Sequence, residues 1–420
     1  MQLKEVLESQ KYDLQKEYSK QLIEREQLKQ AEPLLQNNLI KVITGPRRAG
    51  KSIFSLELLK EKKFAYANFD EEELLKIKDK DTLLQNMIET YGDFKFMLLD
   101  EIQNLKNWEL FVNKMQRKGF NLIITGSNSK LLATELATHL TGRHAPIQIL
   151  PFSFKEFLKA KKIEETPEIP ETKGKILNLL ENYLQNGGYP ETATTNINPK
   201  NYLKNLFDSL ILNDVVKRHK IRNPTAIYNL ARYLISNFAN QTTMTKTKNI
   251  LNMGSVHTTE KYSQCIEEAY LIFFIERYSH KTKEKIKAPK KTYVIDNGFI
   301  NALNVQTFQD KGRLIENLVA IELLRKSHLQ DFQINYWKGS QQKEVDFITT
   351  RNNQTLQLIQ VTNATTKQEI NPKETKAILE ASEKLKCDNL LIITWDFEEK
   401  QSKQTKTITY TPLWKWLLEH

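Results

Sequence analysis

The chain has 420 residues, with 62 lysines and arginines against 51 aspartates and glutamates, which gives a net charge of +11. Its hydrophobic content of 40% excludes a disordered protein, and no apolar run approaches the roughly 20 residues that a membrane helix requires. Two distant cysteines, Cys265 and Cys387, exclude a cysteine-rich metal site and favour a reduced, cytoplasmic protein. The positive charge is compatible with a polyanionic partner.

The region from Leu39 to Ser52 carries the strongest signal in the chain. It begins with an apolar, β-branched segment that predicts a buried parallel strand, turns through two glycines, and enters an apolar-periodic helix. The pattern G-x-x-x-x-G-K-S between a strand and a helix is the phosphate-binding loop. The loop residues are Gly45, Pro46, Arg47, Arg48, Ala49, Gly50, Lys51 and Ser52.

The chemistry of this loop predicts ATP and Mg²⁺ as ligands. Its glycines let successive backbone N–H groups point at a β-phosphate, and the helix N-terminus adds its positive end. We expect Lys51 to reach the β- and γ-phosphates and the Ser52 hydroxyl to hold Mg²⁺. Residues 1–38 predict one or two helices beside this pocket, and the charged N-terminus lacks the apolar segment of a signal peptide.

A second segment supplies the carboxylates that such a site needs. Residues 94–101, FKFMLLDE, predict an apolar strand that ends in two acids. Parallel sheets bind ligands at the carboxyl edge of their strands. At that edge, beside a phosphate loop, we expect Asp100 to join the Mg²⁺ shell and Glu101 to act as general base for the attacking water.

A further strand, residues 121–125, ends in small polar residues. Ser127 and Asn128 are both candidates for sensing the γ-phosphate, with Ser127 preferred. The alternative is a plain cap for the helix predicted over 129–136. Strands and helices alternate throughout this region, which predicts an α/β fold with a doubly wound parallel sheet.

These motifs, taken in order, resemble a known family. The segments GPRRAGKS, LLDEIQNLKNWE, IITGSNSKLL, LTGR and PFSFKEF are similar to those of bacterial and archaeal AAA-type ATPases with a C-terminal restriction-nuclease-like domain. The resemblance implies that Arg143 stabilises transition-state charge, in cis or across a homo-oligomer interface. The alternative is a surface arginine before a strand at 147–150. The resemblance also places the GGYPE turn at 187–191 in a helical lid.

Residues 239–295 predict a winged helix. Two helices joined by a short turn with Gly254 are followed by a hairpin whose connection, residues 281–291, is rich in lysine. Helix, turn, helix and a basic hairpin together predict contact with DNA phosphates. Such modules also bind proteins, so a protein partner is the alternative. The lysines of the connection are Lys281, Lys283, Lys285, Lys287, Lys290 and Lys291.

The C-terminal region predicts a nuclease-like α/β domain. A magnesium nuclease of the restriction type needs a helix glutamate, a hairpin aspartate and a following acid-x-lysine motif. Glu316 and Asp346 fill the first two positions, but residues 360–362 read Gln-Val-Thr, so we expect an inactive site. Two later lysines could supply the missing ammonium, namely Lys367 and Lys373.

The sequence therefore predicts an ATPase that couples nucleotide state to a DNA-contacting winged helix. The alternatives are a nucleotide-gated scaffold or signalling switch that binds protein, and an ATP-dependent nuclease. The predicted domains are the N-terminal helices over 1–38, the ATPase core over 39–158, the helical lid over 159–238, the winged helix over 239–295 and the nuclease-like domain over 296–420.

Overall fold

The chain forms two compact units. The computed structural model describes residues 3–18, 22–77, 79–127, 143–163, 170–279, 281–304, 311–339, 343–403 and 406–419. The units span Met1–Phe152 and Ser153–His420. Within the described ranges, no helix has the length and apolarity that crossing a bilayer demands.

The first unit contains a five-stranded parallel sheet. Its strands are β1 (Ile40–Thr44), β2 (Phe64–Asn68), β3 (Phe96–Asp100), β4 (Asn121–Gly126) and β5 (His144–Gln148). They lie in the order β2-β3-β4-β1-β5, and every neighbouring pair is parallel. The predicted parallel α/β sheet is confirmed.

Helices cover both faces of this sheet. They are α1 (Leu3–Tyr18), α2 (Leu28–Ala31), α3 (Lys51–Leu58), α4 (Glu72–Leu75), α5 (Lys80–Tyr91) and α6 (Trp108–Arg117), with 3-10 turns at Glu32–Gln36 and Ile102–Asn104. Side chains of a strand alternate between faces, so Ile40 and Val42 pack into one core with α5 and α6. Ile43 packs into the other core with α2 and α3. Burial on both faces explains the continuous apolar character of β1.

The second unit is larger and mostly helical in its first half. Its helices are α7 (Phe154–Ala160), α8 (Pro170–Asn186), α9 (Pro190–Thr194), α10 (Pro199–Ser209), a π-helix (Leu210–Lys217), α11 (Pro224–Ser236), α12 (Met244–Ile250), α13 (Val256–Glu268), α14 (Thr282–Lys287), α15 (Asn297–Ala302), α16 (Lys311–Gln330), a 3-10 turn (Lys367–Glu369), α17 (Pro372–Leu385) and α18 (Leu413–Leu418). Phe154 and Phe157 pack on Tyr183, which ties α7 to α8 in this unit.

A nine-stranded mixed sheet runs through the second unit. Its strands are β6 (Asn240–Thr242), β7 (Ile272–Arg277), β8 (Lys290–Val294), β9 (Gln333–Lys338), β10 (Glu344–Arg351), β11 (Gln354–Val361), β12 (Leu390–Thr394), β13 (Glu399–Lys403) and β14 (Lys406–Pro412). The order is β13-β14-β12-β11-β10-β9-β7-β8-β6.

The hairpin predicted after the two helices differs from a free wing. Strands β7 and β8 pair antiparallel, and α14 occupies their connection. Strand β7 also pairs in parallel with β9. The hairpin is therefore continuous with the sheet of the C-terminal region.

The GGYPE turn also lies in the second unit, against a buried acid. Gly187 has φ of +74°, and a Cβ at this residue would lie 1.7 Å from Oδ1 of Asp296. The N–H of Gly188 donates to Oδ2 of Asp296 at 2.7 Å, and the N–H of Gly298 donates to Oδ1 at 2.8 Å. Glycine is required here because any side chain would displace this carboxylate.

Candidate nucleotide site

The loop after β1 has the tight curvature expected of a phosphate-binding loop. Gly45 has φ of +149°, and a Cβ there would meet the carbonyl oxygen of Ile149 at 1.9 Å. Gly50 has φ of +91° and directly precedes α3. Both glycines are thus required by the backbone path. The loop lies at the carboxyl edge of the sheet, where parallel strands bind ligands.

Lys51 and Ser52 begin α3 and face the acids at the end of β3. The Lys51 ammonium donates to the carbonyl of Pro46 at 3.2 Å and lies 3.5 Å from Oε1 of Glu101. The Ser52 hydroxyl is hydrogen-bonded to Asp100. A lysine, a hydroxyl and two carboxylates from separate elements therefore converge on one site.

Asp100 is buried among hydroxyl groups. The Tyr66 hydroxyl donates to Oδ2 at 3.1 Å, and the Thr125 hydroxyl donates to Oδ1. Burial raises the pKa of Asp100, and the Thr125 and Ser52 hydrogen bonds oppose this rise. A carboxylate beside the first helical hydroxyl fits Mg²⁺, which takes few protein oxygens and keeps other positions for water and phosphate.

Glu101 is held in an uncommon backbone conformation. Its φ is +49°, and its N–H donates to the Thr125 hydroxyl at 3.0 Å. Gln103 donates to Oε2 of Glu101 at 2.5 Å. Burial alone would raise the pKa of Glu101, but Lys51 and the Gln103 and Ser127 hydrogen bonds outweigh it and lower the pKa. The lowered pKa favours the ionised carboxylate, and the hydrogen bonds from Gln103 and Ser127 fix its orientation.

Ser127 lies where the sequence predicts it. It is 6% exposed at the end of β4 and hydrogen-bonds to Glu101. The rival candidate Asn128 and the helix predicted over 129–136 lie outside the described residues.

Two residues of the site carry no motif and were not predicted. Asp70 follows β2 and accepts a hydrogen bond from the Asn104 amide at 2.9 Å. Burial and the charge of Glu101 raise the pKa of Asp70, whereas Arg47 opposes this rise. The run of acids at 70–73 is the only signal, and it does not distinguish Asp70 from the acids beside it.

Arg25 anchors the loop from the N-terminal segment. It is 3% exposed, and its guanidinium donates to the carbonyls of Ala49 at 2.8 Å and Leu150 at 2.5 Å. The guanidinium also stacks over Phe152, with 5.1 Å to the ring centre. Nothing in the local sequence predicts this contact, because its partners are 24 and 125 residues away.

Arg143 lies at the opposite edge of the sheet from the loop. Its carbonyl accepts the N–H of Ile40, the first residue of β1, at 2.9 Å. The loop instead follows Thr44, the residue at the other end of β1. The backbone of Arg143 is thus placed away from the loop of its own chain, which favours action at a neighbouring chain, and its role in stabilising transition-state charge stays a prediction.

The structure brings Glu316 and Asp346 together in the second unit, as the sequence predicts, but with an unexpected partner. The ammonium of Lys291 contacts both. Only 3% of the Lys291 side chain is exposed, so its predicted contact with DNA is wrong. Lys367 pairs instead with Glu399, and so does not replace the missing lysine.

Comparison with known proteins identifies relatives of the whole chain. An uncharacterized protein of Methanocaldococcus jannaschii is 37% identical over 402 residues, which are 91% of this chain and 89% of the relative. The chain belongs to the family of this protein. A second member, an uncharacterized protein of Haemophilus influenzae, is 31% identical over 79% of this chain and 85% of its own length.

Family models divide this chain into three parts. Residues 37–158 match an AAA domain, and residues 177–310 and 311–416 match two separate domains of unknown function. The AAA-type prediction for the first unit is thereby confirmed. Among solved structures, the Walker-type ATPase of Pyrococcus abyssi is similar with a TM-score of 0.46 at 16% identity, over 67% of this chain and 96% of that chain. The winged helix and the nuclease-like domain stay predictions.

Proposed function

We propose that this family member binds and hydrolyses ATP with Mg²⁺ at loop 45–52. The observation that carries the proposal is the convergence of Lys51, Ser52, Asp100 and Glu101 at one edge of the sheet. The AAA domain over residues 37–158 supports the same reaction class.

Each side chain has a distinct part in this reaction. The Lys51 ammonium binds the β- and γ-phosphate oxygens, and the loop amides hold the β-phosphate. Ser52 and Asp100 would hold Mg²⁺, which supplies charge neutralisation at the phosphates. Glu101 accepts a proton from the attacking water, and Ser127 orients this carboxylate.

Replacing Glu101 by glutamine tests the proposal. The amide keeps the size of the side chain but cannot accept the proton, so we expect turnover to fall about 10²–10⁴-fold with ATP affinity retained. Phosphate release and binding of a fluorescent ATP analogue measure the two quantities. The matched control is Glu72→Gln, an exposed glutamate of the same unit, which should change neither. A normal rate in Glu101→Gln would remove Glu101 as the base.

We further propose that the second unit contacts DNA. Lys281, Lys283 and Lys287 are exposed on and beside α14. Lys285 and Lys290 pair with Glu276, and Lys281 pairs with Glu284, so these three lysines are less available for phosphate contact than Lys283 and Lys287. A fluorescence titration with duplex DNA at several salt concentrations tests this, since phosphate contacts give a steep negative dependence on salt. The alternative, a nucleotide-gated scaffold that binds protein, predicts no such dependence.

A homo-oligomer is the remaining proposal, because it would allow Arg143 to act at the site of a neighbouring chain. Sedimentation with and without a slowly hydrolysed ATP analogue tests it. We expect the analogue to favour the larger species, and Arg143→Ala to lower turnover without changing ATP affinity. A single monomeric species in both conditions would remove this role for Arg143.

A further inference from the structure

Four charged side chains meet inside the second unit, away from the nucleotide loop in sequence. Glu316 comes from α16, Glu344 and Asp346 come from β10, and Lys291 comes from β8. The Lys291 side chain is 3% exposed. One ammonium is therefore buried among three carboxylates.

Each carboxylate takes one contact from this ammonium. The distances from Nζ of Lys291 are 2.9 Å to Oε1 of Glu316, 2.6 Å to Oε1 of Glu344 and 3.1 Å to Oδ1 of Asp346. The ammonium donates hydrogen bonds to Glu316 and Asp346 and forms an ion pair with Glu344, so carboxylate oxygens surround it. Burial alone would lower the pKa of Lys291, but Glu316, Tyr293 and the other acids outweigh it and raise the pKa well above its usual range.

The surrounding residues complete the hydrogen bonds of the carboxylates. The Tyr293 hydroxyl donates to Oε1 of Glu316 at 2.7 Å. The Gln360 amide and the Val361 N–H donate to Oδ2 of Asp346 at 2.7 and 3.1 Å. Only about 7% of Gln360 is exposed, and its Oε1 is buried without a hydrogen-bond partner. That oxygen is an acceptor without a donor, on a side chain whose amide nitrogen donates to the cluster.

We propose that this cluster is a cation site whose resident cation is the Lys291 ammonium in place of a divalent metal. Removing the ammonium alone would then convert the cluster into a Mg²⁺ or Mn²⁺ site. Its oxygens are hard ligands of the kind these ions prefer. The described residues contain no group of three or more His, Cys, Asp or Glu side chains placed to hold a metal ion.

The charge balance explains why a cation is needed at this position. Three carboxylates in a buried site repel one another, and an uncompensated buried charge is strongly destabilising. A tethered ammonium meets this need at any metal concentration. The second unit would therefore fold without divalent ions, and Lys291 would not act as the activating lysine of a metal-dependent nuclease.

Mn²⁺ binding to the full chain tests the inference, measured by electron paramagnetic resonance in the absence of nucleotide. We expect Lys291→Met to bind one Mn²⁺ per chain more than the wild type, and Mn²⁺ to raise the melting temperature of this variant by several degrees more than that of the wild type. Adding Asp346→Asn to Lys291→Met should abolish the extra site and its thermal shift.

A second variant covers the case in which Lys291→Met does not fold. Lys291→Met with Glu344→Gln removes one partly exposed negative charge along with the ammonium and keeps Glu316, Asp346 and Gln360. We expect it to fold and to bind the extra Mn²⁺. A folded variant without the extra site would overturn the proposal. Mn²⁺ binding by the wild type that Glu316→Gln removes would also overturn it, and would favour a metal-dependent nuclease instead.

Discussion

Two buried lysines face carboxylates in this molecule, and their surroundings differ. The ammonium of Lys51 contacts one carbonyl, at 3.2 Å, and lies 3.5 Å from a single carboxylate oxygen of Glu101. The ammonium of Lys291 has three carboxylate oxygens within 3.1 Å. The first keeps donor capacity for a phosphate, whereas the second donates to two carboxylates and pairs with a third. We therefore expect the first lysine to bind a ligand and the second to balance internal charge.

Substituting each lysine separates these roles and gives the largest expected effects. Lys51→Ala should reduce ATP binding and turnover below detection, because the β- and γ-phosphates lose their cation. Lys291→Met should instead lower the free energy of unfolding by about 3–5 kcal/mol, because it leaves buried carboxylates unpaired. Binding of a fluorescent ATP analogue and urea unfolding measure the pair. Unchanged hydrolysis in Lys51→Ala would contradict the comparison.

Asp296 is a buried acid with no lysine among the groups that shift its pKa. Burial raises its pKa from 3.8 to about 7, although the Gly188 and Gly298 N–H groups oppose this rise. Between these values the unfolded chain is ionised while the folded chain keeps the proton, so stability falls as the pH rises from about 4 to about 7.

The expected loss through Asp296 is at most about 4 kcal/mol. Urea unfolding at several pH values measures it. Asp296→Asn should flatten this dependence, and it should be less stable than the wild type at low pH because the amide nitrogen cannot accept a backbone N–H. An identical pH dependence in both proteins would exclude Asp296 as its source.

Arg25 anchors the loop from outside it, by a hydrogen bond to the carbonyl of Ala49. Arg25→Ala removes two hydrogen bonds to backbone carbonyls, so we expect a loss of about 1.5–3 kcal/mol of stability in the first unit and a higher KM for ATP. Lys29→Ala, an exposed neighbour on α2, is the control and should change stability by less than about 0.5 kcal/mol. Equal KM values for both variants would show that the loop does not depend on this anchor.

The smallest expected effect concerns the exposed lysines of the second unit. Replacing Lys283 and Lys287 together by alanine should reduce the salt slope of duplex DNA binding by about 1.8, at about 0.9 for each phosphate contact. Lys290→Ala is the matched control, since Lys290 already pairs with Glu276. A slope unchanged by the double substitution would remove α14 as the DNA contact.

The sequence predicts that Lys51, Ser52, Asp100 and Glu101 belong to one site, and the structure brings them together because the signals are local. The loop, the strand before it and the acids at 100–101 each occupy a short segment, and parallel strands bring them to one edge. Arg25 and Asp70 reach the same site through long-range contacts that no short pattern records.

Lys291 shows why the second unit was harder to predict. Its sequence context is a lysine-rich hairpin, which is typical of a solvated surface. The alternation of side chains along a strand gives only a weak signal. Lys291 and Tyr293 are two residues apart and share a face of β8, and most of the Tyr293 surface is apolar. The decisive partners, Glu316 and Asp346, are 25 and 55 residues away, so only the tertiary fold shows that this lysine points inward.

The central claim is that the backbone amides of residues 45–52 and the Lys51 ammonium hold a triphosphate. A crystal structure with a slowly hydrolysed ATP analogue and Mg²⁺ tests it most directly. The account predicts phosphate density within hydrogen-bond distance of those amides and of Lys51, with the metal between Ser52 and the phosphates and Asp100 behind it. Nucleotide bound elsewhere on the chain, with this loop empty, would contradict the account.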